Sequence, residues 1–187
     1  MLRRPTTSDP TDGARPAPAE RSYELITHDD LAQLADLARA DRDDLFARKP
    51  LLRQRYAHRV LCVALCQGAA LHFLDGRNGV KDFDVWTFYA EHPDGPFPHR
   101  RVGRRDFGPS KFGRMPNDIR PYVGRRVDLV ARSLPEQPNA HPIEALRRYL
   151  QRSRTGSARA LASKAVILID PASLRGVAAW PLTGRRG

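Results

Sequence analysis

Three aspartates carry most of the chemical information in this 187-residue chain. Asp82 and Asp84 stand two apart in KDFDVW, and Asp128 is the lone acid of RRVDLVA. If each run is a strand, residues i and i+2 share a face with Cα atoms roughly 6.5–7 Å apart, so the first two carboxylates converge. Converging carboxylates repel unless a cation lies between them, and their hard oxygen donors suit divalent ions. A pair with one further acid accommodates two ions about 4 Å apart, the arrangement that serves in-line phosphoryl chemistry. Asp128 is the natural third member. A carboxylate between valine and leucine is costly to bury, and a metal ion would supply its counter-charge.

These acids must be positioned by the elements around them. Met1–Arg21 is rich in Pro, Thr, Asp and Arg without a hydrophobic period, and is expected to be a disordered tail. Thr27 with Asp30 reads as a capping box, and Leu31, Leu34, Leu37, Ala38, Leu45 and Phe46 continue an apolar helical stripe, with a break expected near Asp41–Asp44. Leu51–Arg59 reads as a second helix. Val60–Cys66 reads as a buried strand ended by Gly68, and Ala69–Leu74 as a short helix followed by a glycine-rich turn. Phe83–Tyr89 is aromatic and β-branched, as suits a central strand. Residues 91–124, rich in proline and glycine, form one long irregular stretch. A strand over Arg125–Ser133, helices over Pro142–Arg152 and Ser157–Lys164, and a strand over Ala165–Ile169 complete the pattern. One domain over residues 22–180 is expected, with 181–187 frayed.

The order of these pieces makes the acids more specific. D-x-D alone also occurs in glycosyltransferases and in haloacid-dehalogenase phosphatases. Here a small-residue turn after a strand (CQGAALHF), an acid-x-acid strand (KDFDVW) and a later acid flanked by hydrophobics (RVDLV) follow one another over Val60–Ser133. In this the chain resembles the nucleotidyltransferase superfamily with the polymerase-beta-like fold. The resemblance implies an α/β fold, a mixed sheet with flanking helices, and two magnesium ions held by Asp82, Asp84 and Asp128. It further implies transfer of a nucleoside monophosphate from a triphosphate with loss of pyrophosphate. The Gly68–Ala69 turn would hold triphosphate oxygens through backbone amides. The family has Gly-Gly or Gly-Ser at this turn, so the chain lacks a hydroxyl donor there. Small stand-alone members of that superfamily serve in toxin–antitoxin or defence systems.

Charge points to the partner. The net charge is +11, with nine Lys/Arg against two Asp/Glu over 99–126 and again over 141–187, a field that attracts polyanions. The stretch RRVGRRDFGPSKFGR interleaves Phe107 and Phe112 with basic residues, so it could grip a nucleotide or an RNA end, with Lys111 and Arg114 as the foremost contacts. Lys164, before the last strand, could reach a triphosphate. The acceptor hydroxyl could belong to RNA, such as a tRNA end, to a protein or to a small molecule. The rival from another class is a non-catalytic nucleic-acid-binding protein that retains the fold. Cys62 and Cys66 read as buried free thiols, no zinc-ligand spacing is present, and no apolar run is long enough to span a bilayer. The N-terminus lacks the apolar stretch of a secretory signal, and a cytoplasmic location is expected.

Overall fold

The computed structural model describes residues 21–98, 101–116, 118 and 121–181. The expected tail Met1–Arg21 and the expected frayed end 181–187 therefore lie outside the described residues, apart from Arg21 and Pro181.

Helix α1 spans His28–Arg48. Its capping box is in place: Asp30 N donates to Thr27 Oγ1 (3.3 Å) while Thr27 N donates to Asp30 Oδ2 (2.7 Å). The helix does not break at Asp41–Asp44. Asp41 is buried and accepts from Arg105 Nη2 (3.2 Å), so the acid that looks like a helix breaker in sequence is held by a partner 64 positions away. Helix α2 (Pro50–Tyr56) starts on a proline, which needs no N–H donor there. Strand β1 (Val60–Cys66) passes directly into helix α3 (Gln67–Asp75), so the strand ends ahead of Gly68 and the glycine lies within the first turn of the helix. Gly76 adopts a left-handed conformation (φ 65°) and caps α3, where its N–H donates to His72 O.

Strand β2 (Phe83–Ala90) lies between β1 and β4 (Arg126–Leu134), and helices α4 (Pro142–Arg152) and α5 (Gly156–Ala162) lead to β5 (Ala165–Asp170). Two strands escape the sequence pattern. Strand β3 (Arg101–Asp106) lies inside the stretch expected to be irregular, and β6 (Ala178–Trp180) follows a short 3₁₀ turn. Arginine and glycine in RVGRRD give no strand signature. Its conformation comes from antiparallel pairing along β4, with Val102 opposite Val130 and Arg104 opposite Asp128. The six strands form one sheet in the order β3-β4-β2-β1-β5-β6, antiparallel throughout except for the parallel pair β2 and β4. The fold is thus mixed α/β, with helices flanking a mixed sheet.

Alternation along the strands divides the core in two. Val63, Leu65, Phe83, Val85, Val127, Leu129, Ile167 and Ile169 pack with α1 and α3 on one face. Cys62, Ala64, Cys66, Trp86, Phe88, Val130, Val166 and Leu168 pack with α4 and α5 on the other. Phe107 and Phe112 belong to the first core, each only 2% exposed and seated against Phe83 at ring-centroid distances of 4.9 and 5.3 Å. They are therefore not free to stack on a ligand, as the sequence pattern suggests. Burial of two aromatic rings outweighs whatever their basic neighbours attract, since each such side chain is worth about 2–3 kcal/mol.

Candidate active site

Pairing brings the acids together. Asp84 on β2 is the register partner of Asp128 on β4, and the same row continues outward to Arg104 on β3 and inward to Cys66 on β1. Parallel strands in register put both carboxylates on one face about 4.8 Å apart at the backbone. That is the α4–α5 face, because Asp84 shares its parity with Trp86 and Phe88, and Asp128 shares its parity with Val130. Helix α5 is short and packs on the sheet through Ala158 and Leu161, and a cleft of about 830 Å³ lies beside it. Gln67, Asp84, Trp86, Asp128, Ser157 and Lys164 line it.

The charge balance of the cluster is uneven. Asp84 is largely buried, and burial, with Asp82 and then Asp128 nearby, pushes its carboxyl up to about 6, against the opposing pull of Lys164 and Arg126. Asp82, at the mouth of β2, and Asp128 are instead tied by one guanidinium. Arg126 Nη2 donates to Asp82 Oδ2 (2.7 Å), and its Nε lies 3.2 Å from Asp128 Oδ2. Arg104 Nε approaches the other oxygen of Asp128 at 3.4 Å. The counter-charge that the sequence reading assigns to a metal at Asp128 is therefore furnished by two arginines. Asp128 Oδ1 nevertheless remains buried without a hydrogen bond. Among the described residues, no group of three or more His, Cys, Asp or Glu side chains is gathered closely enough to hold a metal ion as the side chains stand. An under-bonded Asp128 oxygen and an Asp84 destabilised by two neighbouring acids are nonetheless the donor chemistry that a hard divalent cation completes.

The β1–α3 junction forms the wall next to Asp84. Gln67 has a positive φ (62°), alone in this among the described non-glycine residues, and its Nε2 donates to Ala160 O (3.2 Å), tying the start of α3 to α5. Strain of this kind, of order 1 kcal/mol, persists where surrounding structure enforces it. Gly68 presents an open side, since a Cβ there would meet nothing within 4 Å, whereas Ala69 is buried in the core. Lys164 lines the same cleft. Lys111 and Arg114 line a different region. Lys111 Nζ pairs with Asp30 Oδ2 at 2.8 Å beside the start of α1, and Arg114 Nη2 donates to Asp118 O at 3.1 Å.

Arg126, Arg104 and Gln67 also belong to the site, beyond the residues expected from sequence. Arg126 carried a signal: it is two residues before Asp128 on one strand and so shares its face. Arg104 and Gln67 carried none, because each depends on a pairing or a junction geometry set elsewhere in the chain.

The described residues thus define a mixed α/β protein with a carboxylate-floored cleft at the ends of its parallel strands. No family model, curated protein or solved structure matches this chain. Its functional reading rests on the residues and geometry of the cleft.

Proposed function

We propose that this chain is a metal-dependent nucleotidyltransferase that moves a nucleoside monophosphate from a nucleoside triphosphate to an acceptor hydroxyl and releases pyrophosphate. The observation that carries the reading is the in-register pairing of Asp84 with Asp128 on the floor of a cleft that also holds Lys164. Asp82, Asp84 and Asp128 are the residues that would hold magnesium or manganese. Bound there, the ions would neutralise phosphate charge and activate the acceptor oxygen.

The chain's own groups supply the rest. Lys164 places a positive charge where a triphosphate would enter. The first-turn N–H groups of α3, beside the open Gly68, can orient phosphate oxygens. Asp84, whose carboxyl is raised to about 6 by burial and two neighbouring acids, is an electrostatically strained carboxylate at neutral pH that further positive charge would relieve. Arg126 holds Asp82 and Asp128 together and has to share or yield them as that charge binds.

Arg126 also supports a second reading, a non-catalytic nucleic-acid-binding protein in which the guanidinium is the permanent partner of both acids. Incubation with each α-phosphate-labelled nucleoside triphosphate, magnesium, and RNA or protein separates the two. The enzyme reading expects label on an acceptor, lost in Asp84→Asn and Asp128→Asn. Transfer that survives both substitutions would remove the acids from the reaction, and magnesium-independent RNA binding without transfer would favour the second reading.

A further inference from the structure

A second cavity, of about 700 Å³, opens on the same face of the sheet beyond the end of the acid cleft. The two share their walls. Along β4, Asp128 and Val130 line the cleft while Arg132 and Ser133 line the cavity. Across from them, Gly156 and Ser157 line the cleft while Ser153 and Thr155 line the cavity. Asp128 and Arg132 are four residues apart on one strand and share a face, a separation of about 13 Å.

The cavity is built differently from the cleft. Three arginines enter it, Arg132, Arg148 and Arg152, with Glu91 and Glu136. Glu136 is already engaged, since Arg148 Nε and Nη2 donate to its two oxygens at 2.8 Å each. Among the described residues, Arg132 and Arg152 have no carboxylate within ion-pair distance. The Arg132 guanidinium lies over the Tyr149 ring at 5.3 Å, and both residues line the cavity. A planar cation of that kind takes a phosphate through its edge or a base on its face.

We infer that this cavity is the acceptor track of the acid cleft and that it holds the penultimate phosphates of a single-stranded RNA whose terminal hydroxyl reaches Asp84 and Asp128. This inference rests on the nucleotidyltransferase reading for the identity of the hydroxyl, but the phosphate contacts can be measured without it. Two guanidiniums that form no close ion pair among the described residues, Arg152 acting on Glu136 only at longer range, favour a polyanion over a protein acceptor, and the offset of about 13 Å suits a strand entering from the basic end.

The test is fluorescence anisotropy of a labelled single-stranded oligoribonucleotide with full-length protein, in EDTA and without nucleotide, across a salt series. Arg132→Gln with Arg152→Gln is expected to weaken binding about tenfold and to flatten the slope of log affinity against log salt by about 1.4, the value for two single-strand phosphate contacts. Arg53→Gln with Arg55→Gln on α2 is expected to change neither. Arg152→Gln alone, at the exposed end of α4, guards against misfolding of the pair and should give about half the slope change. Equal losses in both pairs, or no loss in the first, would overturn the inference. If the Arg132 and Arg152 dependence holds and no nucleotide is ever transferred, the RNA track stands and the enzyme reading falls. If transfer to RNA proceeds with an unchanged KM in the Arg132/Arg152 variant, the track is not the acceptor's and the enzyme reading stands.

Discussion

At the scale of single residues, Asp84 concentrates the tension between stability and function. Its carboxyl is raised to about 6 from an unfolded value near 3.8, so folding is favoured by its proton and loses stability as pH rises through 6. Asp84→Asn keeps the shape and removes the charge. We expect it to stabilise the metal-free protein at pH 8 by about 1–3 kcal/mol, the worth of a shift of this size, and hardly at all at pH 4, as thermal melts at the two pH values would record. A gain independent of pH would mean that charge is not what strains this position. Arg126 is the opposite case. Replacing it with Gln leaves Asp82 and Asp128 facing one another without their shared cation, and we expect a loss of about 2 kcal/mol in EDTA. Magnesium should then raise Tm more in Arg126→Gln than in the wild type, because ion and guanidinium serve the same carboxylates. Equal shifts in the two proteins would place the ion elsewhere.

At the scale of elements, the strand bearing Asp128 is set by a turn that one carboxylate organises. Asp106, at the end of β3, accepts from the backbone N–H groups of Gly108 (3.0 Å), Val123 (2.7 Å) and Gly124 (2.9 Å). Burial alone would raise its pKa, but these bonds outweigh burial and hold it below the ordinary value. The stability it contributes is therefore present above pH 3.8 and is lost as pH falls through the lower folded value. Asp106→Ala should cost about 2–3 kcal/mol at pH 7 in urea unfolding and should remove that acid-sensitive component. Gly124 is fixed in the same turn: a Cβ there would fall within bonding range of Gly108 O, so Gly124→Ala must displace backbone and should be the more damaging change. The capping box at Thr27 and the glycine-rich turn after Leu74 were readable from neighbouring residues. The Asp106 turn was not, because Asp106 and Gly124 are 18 positions apart and nothing local announces their meeting.

At the scale of the whole molecule, the +11 charge opposes compaction, and counter-ions should relieve it. Raising NaCl from about 10 to 150 mM at pH 7 is expected to increase Tm by a few degrees, since the Debye length shrinks to about 8 Å and long-range repulsion is screened. A fall in Tm would instead mean that attraction within ion pairs, such as Arg126 with Asp82, outweighs the repulsion. No helix among the described residues is long and apolar enough to cross a membrane. What the sequence determined by itself was whatever depends on near neighbours. The capping box at Thr27, the bounds of Val60–Cys66 and Pro142–Arg152, the strand character of Phe83–Tyr89 and the shared face of residues two apart all follow from local stereochemistry and period. Tertiary structure decided what depends on which strands meet. It placed Asp84 beside Asp128 by parallel pairing, made a strand of Arg101–Asp106 by giving it an edge to bond, and withdrew Phe107 and Phe112 into the core. It also brought Arg104 to Asp128 across strands and let Arg126, a near neighbour of Asp128 in sequence, reach Asp82 as well, 44 positions away. Backbone pairing and charge neutralisation act through space, and the distances that govern them are not written in sequence separation.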